Sequence, residues 1–297
     1  MQANHELVER LAALSAQGRY DVRTRFDWPM DVNCDRLWCD EELLTTYGTE
    51  VHGAMEPSAL IALSKWEAIN FFSLNVTGIK DAMSFLCQKM YEDRYLWAKD
   101  YMHIFLEEEN NHLWFFAKFC LDYVGKYYSS RWPQIDELPA ELERDFLMFS
   151  SILIFEEFVD YYNRRVGANP EVLTIIREIN RQHHLDESRH VSFGREVVKR
   201  LHEDIMASAR DPEETRRRLE ERLKKKFLYF ISNMYNPKVY TDSRAFEAAG
   251  MRSAIQMRNH LRNSPHRKNH HRSWFQRTAT FFHRLGVIQD VNFLVHD

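Results

Sequence analysis

The sequence predicts an all-α protein, with a four-helix bundle core that carries an N-terminal arm and additional C-terminal helices. Three observations lead there. Only 9 Gly and 8 Pro occur in 297 residues, too little turn chemistry for a many-stranded β fold. Long segments are apolar on one or more helical faces and are bounded by helix start and stop signals. Two separate segments each place a glutamate three residues before a histidine, a spacing that puts both side chains on one helical face.

The first twenty residues carry Leu and Val at helical spacing and predict a short amphipathic helix. No continuous apolar run suggests a signal peptide. Residues 20–55 are irregular, aromatic and acidic, and are expected to wrap the core as an arm with a short helix around Asp40 to Thr46. A first core helix should start after Glu56-Pro57-Ser58. A second covers about 92–124 and stops at Gly125, because glycine accepts the left-handed conformation that ends helices. The segment SSRWPQIDELP, with two prolines, reads as a loop. A third helix runs from about 139 to 166 and stops at Gly167. Asn169-Pro170 is expected to open the fourth, with Asn as N-cap and Pro at the first helical position, continuing to about 207. Asp211-Pro212 opens a fifth, highly charged helix that ends before Pro237. Two more helical stretches, split by Ser264-Pro265, fill residues 241–297. The expected organisation is one helical domain over 1–297: arm 1–55, core bundle 56–207, additional helices 211–297.

Composition excludes several classes. Hydrophobic residues make up 44% and charged residues 28%, which suits a globular chain. No apolar run approaches the roughly 20 residues that span a bilayer. A net charge of −4 argues against bulk nucleic-acid binding. Four cysteines, Cys34, Cys39, Cys87 and Cys120, lack zinc spacing and fit a reducing compartment, so a cytoplasmic location is expected.

The chemistry concentrates in the bundle. The second helix holds Glu109-Asn110-Asn111-His112 and the fourth holds Glu187-Ser188-Arg189-His190. The first offers Glu67 inside SKWEAINFF, and the third offers Glu156 and Glu157 inside SSILIFEEFVDYY. One glutamate from each of two helices and a Glu-x-x-His from each of the other two is the donor pattern of dinuclear carboxylate bundles. Charged groups inside apolar runs need a partner or a metal. Adjacent helix positions point about 100° apart, so only one of Glu156 and Glu157 can face the metals. His183, four residues before Glu187 and seven before His190, lies within roughly 40° of the same face. Spacing leaves it open whether it is a ligand or an outer residue. Asp186 could accept a hydrogen bond from a ligand imidazole, or pair with Arg189 at the surface. Trp66, Phe71, Phe72, Phe105, Trp114 and Phe155 could line a flat apolar cavity or simply pack the core.

These residues resemble the p-aminobenzoate N-oxygenase family of di-iron oxygenases, ferritin-like carboxylate proteins distinguished by the extra histidine four positions before the last glutamate. The resemblance covers about residues 60–195. It implies that Glu67, Glu109, Glu156 and Glu187 are carboxylate ligands, and that His112, His183 and His190 are imidazole ligands. It implies two iron ions, dioxygen as co-substrate and an external electron donor. The implied reaction is oxidation of an amine to hydroxylamine and on to nitroso or nitro. A carbon hydroxylase or desaturase, and a ferritin-like iron-binding protein, are the alternatives. Asp186-Glu187-Ser188-Arg189-His190 also resembles the Asp-Glu-x-Arg-His motif of bacterial multicomponent monooxygenases. In the second helix Glu108 and Asn111 stand where that motif has Asp and Arg.

The partners to expect are a small amine substrate and a reductase or chemical reductant, with no nucleic acid and no membrane; a homodimer is compatible with the sequence. Residues 252–284 carry His266-Arg267-Lys268 and His270-His271-Arg272. They read either as a solvated basic surface or as a dock for an acidic carrier protein.

Overall fold

The computed structural model describes residues 2–32, 35–129 and 140–296; most of the expected proline loop, and Cys34, lie outside them. Twelve helices occur among these residues: α1 (Gln2–Gln17), α2 (Glu50–Ala54), α3 (Pro57–Lys89), α4 (Lys99–Val124), α5 (Glu141–Ala168), α6 (Thr174–Ser208), α7 (Pro212–Met234), α8 (Pro237–Asp242), α9 (Ala245–Ala248), α10 (Ala254–Asn263), α11 (Pro265–Arg284) and α12 (Phe293–His296). Short 3-10 helices stand at Glu41–Leu43 and Asp93–Ala98. No strand occurs among the described residues, only an isolated bridge between Leu37 and Val172.

The core is α3, α4, α5 and α6. Ring contacts fix their directions. Phe72 of α3 meets Phe116 and Phe119 of α4 at 4.8 and 5.1 Å, and Trp66 meets Tyr128 just past the end of α4 at 6.2 Å, so α4 runs antiparallel to α3. Phe71 stacks on Tyr162 of α5 at 4.8 Å, and Phe85 meets Phe149 at 5.0 Å, so α5 runs antiparallel to α3. Between α5 and α6, Asn163 meets His183 while Phe146 meets His202, again antiparallel.

Local chemistry sets the ends. Pro57 opens α3, where its missing N–H costs nothing. Gly125 closes α4 at φ 75°. Asp211 caps α7 by accepting from the Glu214 backbone N–H. The fourth core helix departs from expectation at its start. It begins at Thr174, not at Pro170. The Asn169 side chain accepts from the Glu171 N–H in a turn and donates to Asp40, and Val172 is drawn into the bridge with Leu37. The arm thus takes over the donor and acceptor groups that would have started the helix.

Outer helices cover the bundle. Against α4 and α6 lies α1 with the segment that follows it: Arg19 reaches Glu107 and Ser15 reaches Arg189. On α5 lies α11, where Phe158 stacks on Phe275 at 5.0 Å. This packing revises the basic tail. Arg267 and His271 are buried, Arg267 donating to the Tyr235 hydroxyl at 3.2 Å and to the Tyr47 carbonyl at 3.1 Å. Burial and the nearby Arg267 charge press His271 down to about 3. These residues are internal ties of the C-terminal helices, so the clusters do not form a continuous basic surface. Among the described residues no helix is long and apolar enough to cross a membrane.

Candidate metal centre

Glu109 and His112 of α4 meet Glu187 and His190 of α6 in the bundle interior, with donor atoms that all lie within 4.8 Å of one another. His190 Nδ1 is 2.9 Å from Glu109 Oε1, and His112 Nδ1 is 3.4 Å from both Glu109 Oε1 and Glu187 Oε1. His183, one turn before Glu187, brings Nε2 to 2.6 Å from Glu187 Oε1. From α5, the carboxyl group of Glu156 contacts that of Glu187. All six side chains are buried.

The cluster is unfinished as a hydrogen-bonded network. Both oxygens of Glu109 and of Glu187, Nδ1 of His112 and of His190, and Nε2 of His183 make no hydrogen bond. Buried polar atoms are normally satisfied, so seven orphans pointing at one another need a shared partner. Three carboxylates and three imidazoles are a donor set that suits iron. The residues present therefore fit two metal ions of the kind the pattern implies.

Electrostatics agree. Burial would raise the Glu187 carboxyl, but the His183 and His190 charges hold it well below the usual range. Burial, with the Glu187 and Glu109 charges, pushes Glu156 well above its ordinary value. Burial would lower His112; Glu109, the bond to Asp186 and Glu187 outweigh it and hold the imidazole up at about 10.

Outer hydrogen bonds orient the imidazoles in a crossed pair. His112 on α4 uses Nε2 on Asp186 of α6 at 3.1 Å, and His190 on α6 uses Nε2 on Glu108 of α4 at 2.9 Å. Arg189 donates to both carboxylates, at 2.8 Å to Asp186 and 2.5 Å to Glu108. Each carboxylate fixes its ring so that Nδ1 faces the cluster. Glu108 thus performs on α4 what Asp186 performs on α6. Its signal was the acidic residue directly before the glutamate of each Glu-x-x-His. Asn111, by contrast, contributes nothing to this pair; Arg189 serves both sides. Asn163 lies 2.7 Å from His183 Nδ1, leaving Nε2 toward the cluster. It stands seven residues after Glu156, on the same face of α5, which is a signal spacing could have carried. Tyr20, which donates to Asp186 at 3.2 Å, had no sequence signature.

Glu156 and Glu157 separate as adjacent helix residues must: Glu157 turns away to Arg195 at 2.6 Å and to the Thr278 hydroxyl at 3.0 Å. Glu67, expected among the ligands, is not brought to the cluster. Its carboxylate is instead held by the Thr45 backbone N–H at 3.0 Å and by the Thr45 hydroxyl, which also accepts from Tyr240. Burial raises its carboxyl to about 7 against the Thr45 bonds and the Arg267 charge. The physical reason is register: Glu67 sits on the stretch of α3 that the arm and the C-terminal helices cover. The six aromatics do not line one cavity either. Phe105 stacks on His190 at 3.9 Å, but Trp66 packs on Tyr128 and Trp114 on Trp28. The rings against the other imidazoles are Phe115, 5.5 Å from His112, and Phe116, 4.9 Å from His183.

The sequence profile of the family described as p-aminobenzoate N-oxygenase AurF matches residues 1–286. No curated protein matches the sequence significantly. Among solved structures, a variant of an R2-like ligand-binding oxidase with an anaerobically reconstituted Mn/Fe cofactor is 12% identical with TM-score 0.50, covering 96% of this chain and 93% of that one. A second variant of that oxidase, aerobically reconstituted, is 11% identical with TM-score 0.47 over the same shares. The first likeness shows the shared ferritin-like helical fold. With the profile spanning nearly the whole chain, the protein belongs to the p-aminobenzoate N-oxygenase AurF family and is a di-iron oxidase or monooxygenase.

Proposed function

We propose that the protein transfers an oxygen atom from dioxygen to the nitrogen of a small primary amine. The two irons would be held by Glu109, His112, Glu156, His183, Glu187 and His190. The observation that carries this reading is the buried set of three carboxylates and three imidazoles with seven orphaned donor atoms; the family description supplies the reaction class. In the first step an amine, dioxygen, two electrons from an external reductant and two protons give a hydroxylamine and water. Repetition at the same nitrogen leads to nitroso and nitro products.

When bound, the irons supply the redox chemistry that reduces dioxygen. The chain's own contribution is orientation and dryness. Asp186, Glu108 and Asn163 each fix one imidazole, so three nitrogens converge without rearrangement. Phe105, Phe115 and Phe116 cover those rings and keep water from the centre. An amine brings a lone pair to such a site, so reaction at nitrogen avoids breaking a strong carbon–hydrogen bond.

The test is labelled dioxygen supplied to reduced, iron-loaded protein with a panel of amines, read by mass spectrometry. Heavy oxygen on nitrogen is the expected result. Label on carbon, or an alkene without label, would reassign the protein to carbon hydroxylation or desaturation.

A further inference from the structure

Helix α3 faces the cluster, yet it brings no carboxylate there. The ring pairs give its register. Phe71 with Tyr162 and Phe85 with Phe149 place Glu156 opposite about residue 78 of α3. Phe72 with Phe116 places His112 and Glu109 opposite about residues 76–79. Asn75 lies just below that level. It projects between the direction of Phe71, which faces α5, and that of Phe72, which faces α4, about 40° from the first and 60° from the second. It therefore points into the interior that α4 and α5 share with α3. Its inward neighbours Gly78, Ile79 and Ala82 offer no side-chain donor. Glu67 lies eight residues earlier, about 12 Å along the axis.

Asn75 is fully buried. Its Nδ2 donates back to the Phe71 carbonyl of its own helix at 2.9 Å, which fixes the amide orientation and leaves Oδ1 as the free atom. That oxygen has no hydrogen-bond partner. It is thus a buried, unpartnered neutral oxygen on the core helix that brings no carboxylate to the cluster.

Resting on the metal-centre reading above, we propose that Asn75 is the contribution of α3 to that centre, and that its neutrality makes the two metal positions unequal. The position served from α5 and α6 has two carboxylates, Glu156 and Glu187, and two imidazoles, His183 and His190. The position served from α3 and α4 has Glu109, His112 and an amide oxygen. Two divalent ions bring four positive charges against three carboxylates, so the α3–α4 position is held with less compensating charge and binds second. Burying an uncompensated charge is costly, so this difference is large in a dry site.

The test uses the full chain and manganese(II) or iron(II) alone, titrated without oxygen and followed by calorimetry and bound-metal analysis. The wild type should bind two ions in stages separated by at least tenfold in affinity. Asn75→Asp keeps the shape and adds a charge: it should tighten the second stage at least tenfold, leave the first nearly unchanged, and lower the melting temperature of the metal-free protein while enlarging the gain on loading. Asn75→Leu should leave the metal-free protein folded and weaken the second stage at least tenfold. Equal stages in the wild type, or a second stage that ignores both substitutions while circular dichroism shows native helix content, would overturn the proposal and leave the metal centre standing. Failure of the wild type to bind metal at all would overturn the centre itself, and the role of Asn75 with it.

Discussion

Glu108 on α4 takes His190 of α6 at 2.9 Å while Asp186 on α6 takes His112 of α4 at 3.1 Å, so each Glu-x-x-His helix orients the imidazole of the other. Arg189 joins the two carboxylates. Outer partners of ligand histidines commonly set metal affinity within about 10–100-fold. Glu108→Gln and Asp186→Asn should each weaken iron binding by about that factor, with helix content unchanged. Competition with a chelator measures it; equal affinity in both variants and wild type would remove Glu108 and Asp186 from the support of the site.

The carboxylates of α5 should behave oppositely. Glu156→Ala should lose about one of two irons, because Glu156 reaches Glu187. Glu157→Ala should keep both and instead destabilise the fold by roughly 1–3 kcal/mol, as Arg195 and Thr278 lose their partner. Elemental analysis and urea unfolding of both variants distinguish the two roles.

Glu67→Gln should leave iron stoichiometry unchanged, since Glu67 stands with Thr45 and not with the cluster. An iron content halved by this substitution would return Glu67 to the ligand set.

The same variant should alter how stability depends on pH. Burial raises the Glu67 carboxyl to about 7, above its unfolded value near 4.5. Below pH 4.5 both states hold the proton and the contribution to stability is complete. As pH rises toward 7, only the folded state keeps it, and stability falls by an amount of the order of 3 kcal/mol. Above 7 no further loss follows. Glu67→Gln should abolish that slope, so the wild-type advantage at low pH vanishes in urea titrations across the window; identical slopes would count against a buried, neutral Glu67.

Arg267 and Arg272 look alike in the sequence and should differ sharply on replacement. Arg267→Ala leaves the Glu67 carboxyl without its nearest positive field and strips Tyr235 and the Tyr47 carbonyl of a donor. A loss of about 3–5 kcal/mol is expected from breaking such buried contacts. Arg272 is exposed and, among the described residues, bonds Gln276, so Arg272→Ala should cost under about 0.5 kcal/mol. Denaturant unfolding of the two variants reads the difference directly.

What the sequence made legible follows from periodicity. Glu109, His112, Glu187 and His190 sit at intervals that a helix converts into one face, so their meeting required only that α4 and α6 face each other. The same reasoning covered His183 and the choice between faces at Glu156 and Glu157. Glu67 misled because an apolar surround signals burial without saying what lies opposite; that depends on the register of α3 against α5, which rings fix in space and not in sequence. Asn75 was invisible for the converse reason, since a buried asparagine carries no motif. The arm was expected against the core, but its individual contacts were not legible: the bond from Tyr20 to Asp186 joins residues 166 apart along the chain.

With that bond the first twenty residues touch the outer hydrogen bonds of the centre, and they do so again where Arg189 Nε donates to the Ser15 hydroxyl at 2.8 Å. Linked equilibria are reciprocal. If docking of the first twenty residues steadies Asp186 and Arg189, then loading the cluster must steady those residues in turn, by the same free energy. The amino-terminal helix is thus a gauge of occupancy at a distance from the metals: its amide exchange should slow when ions enter, and trimming it should cost affinity even though none of its atoms is a ligand.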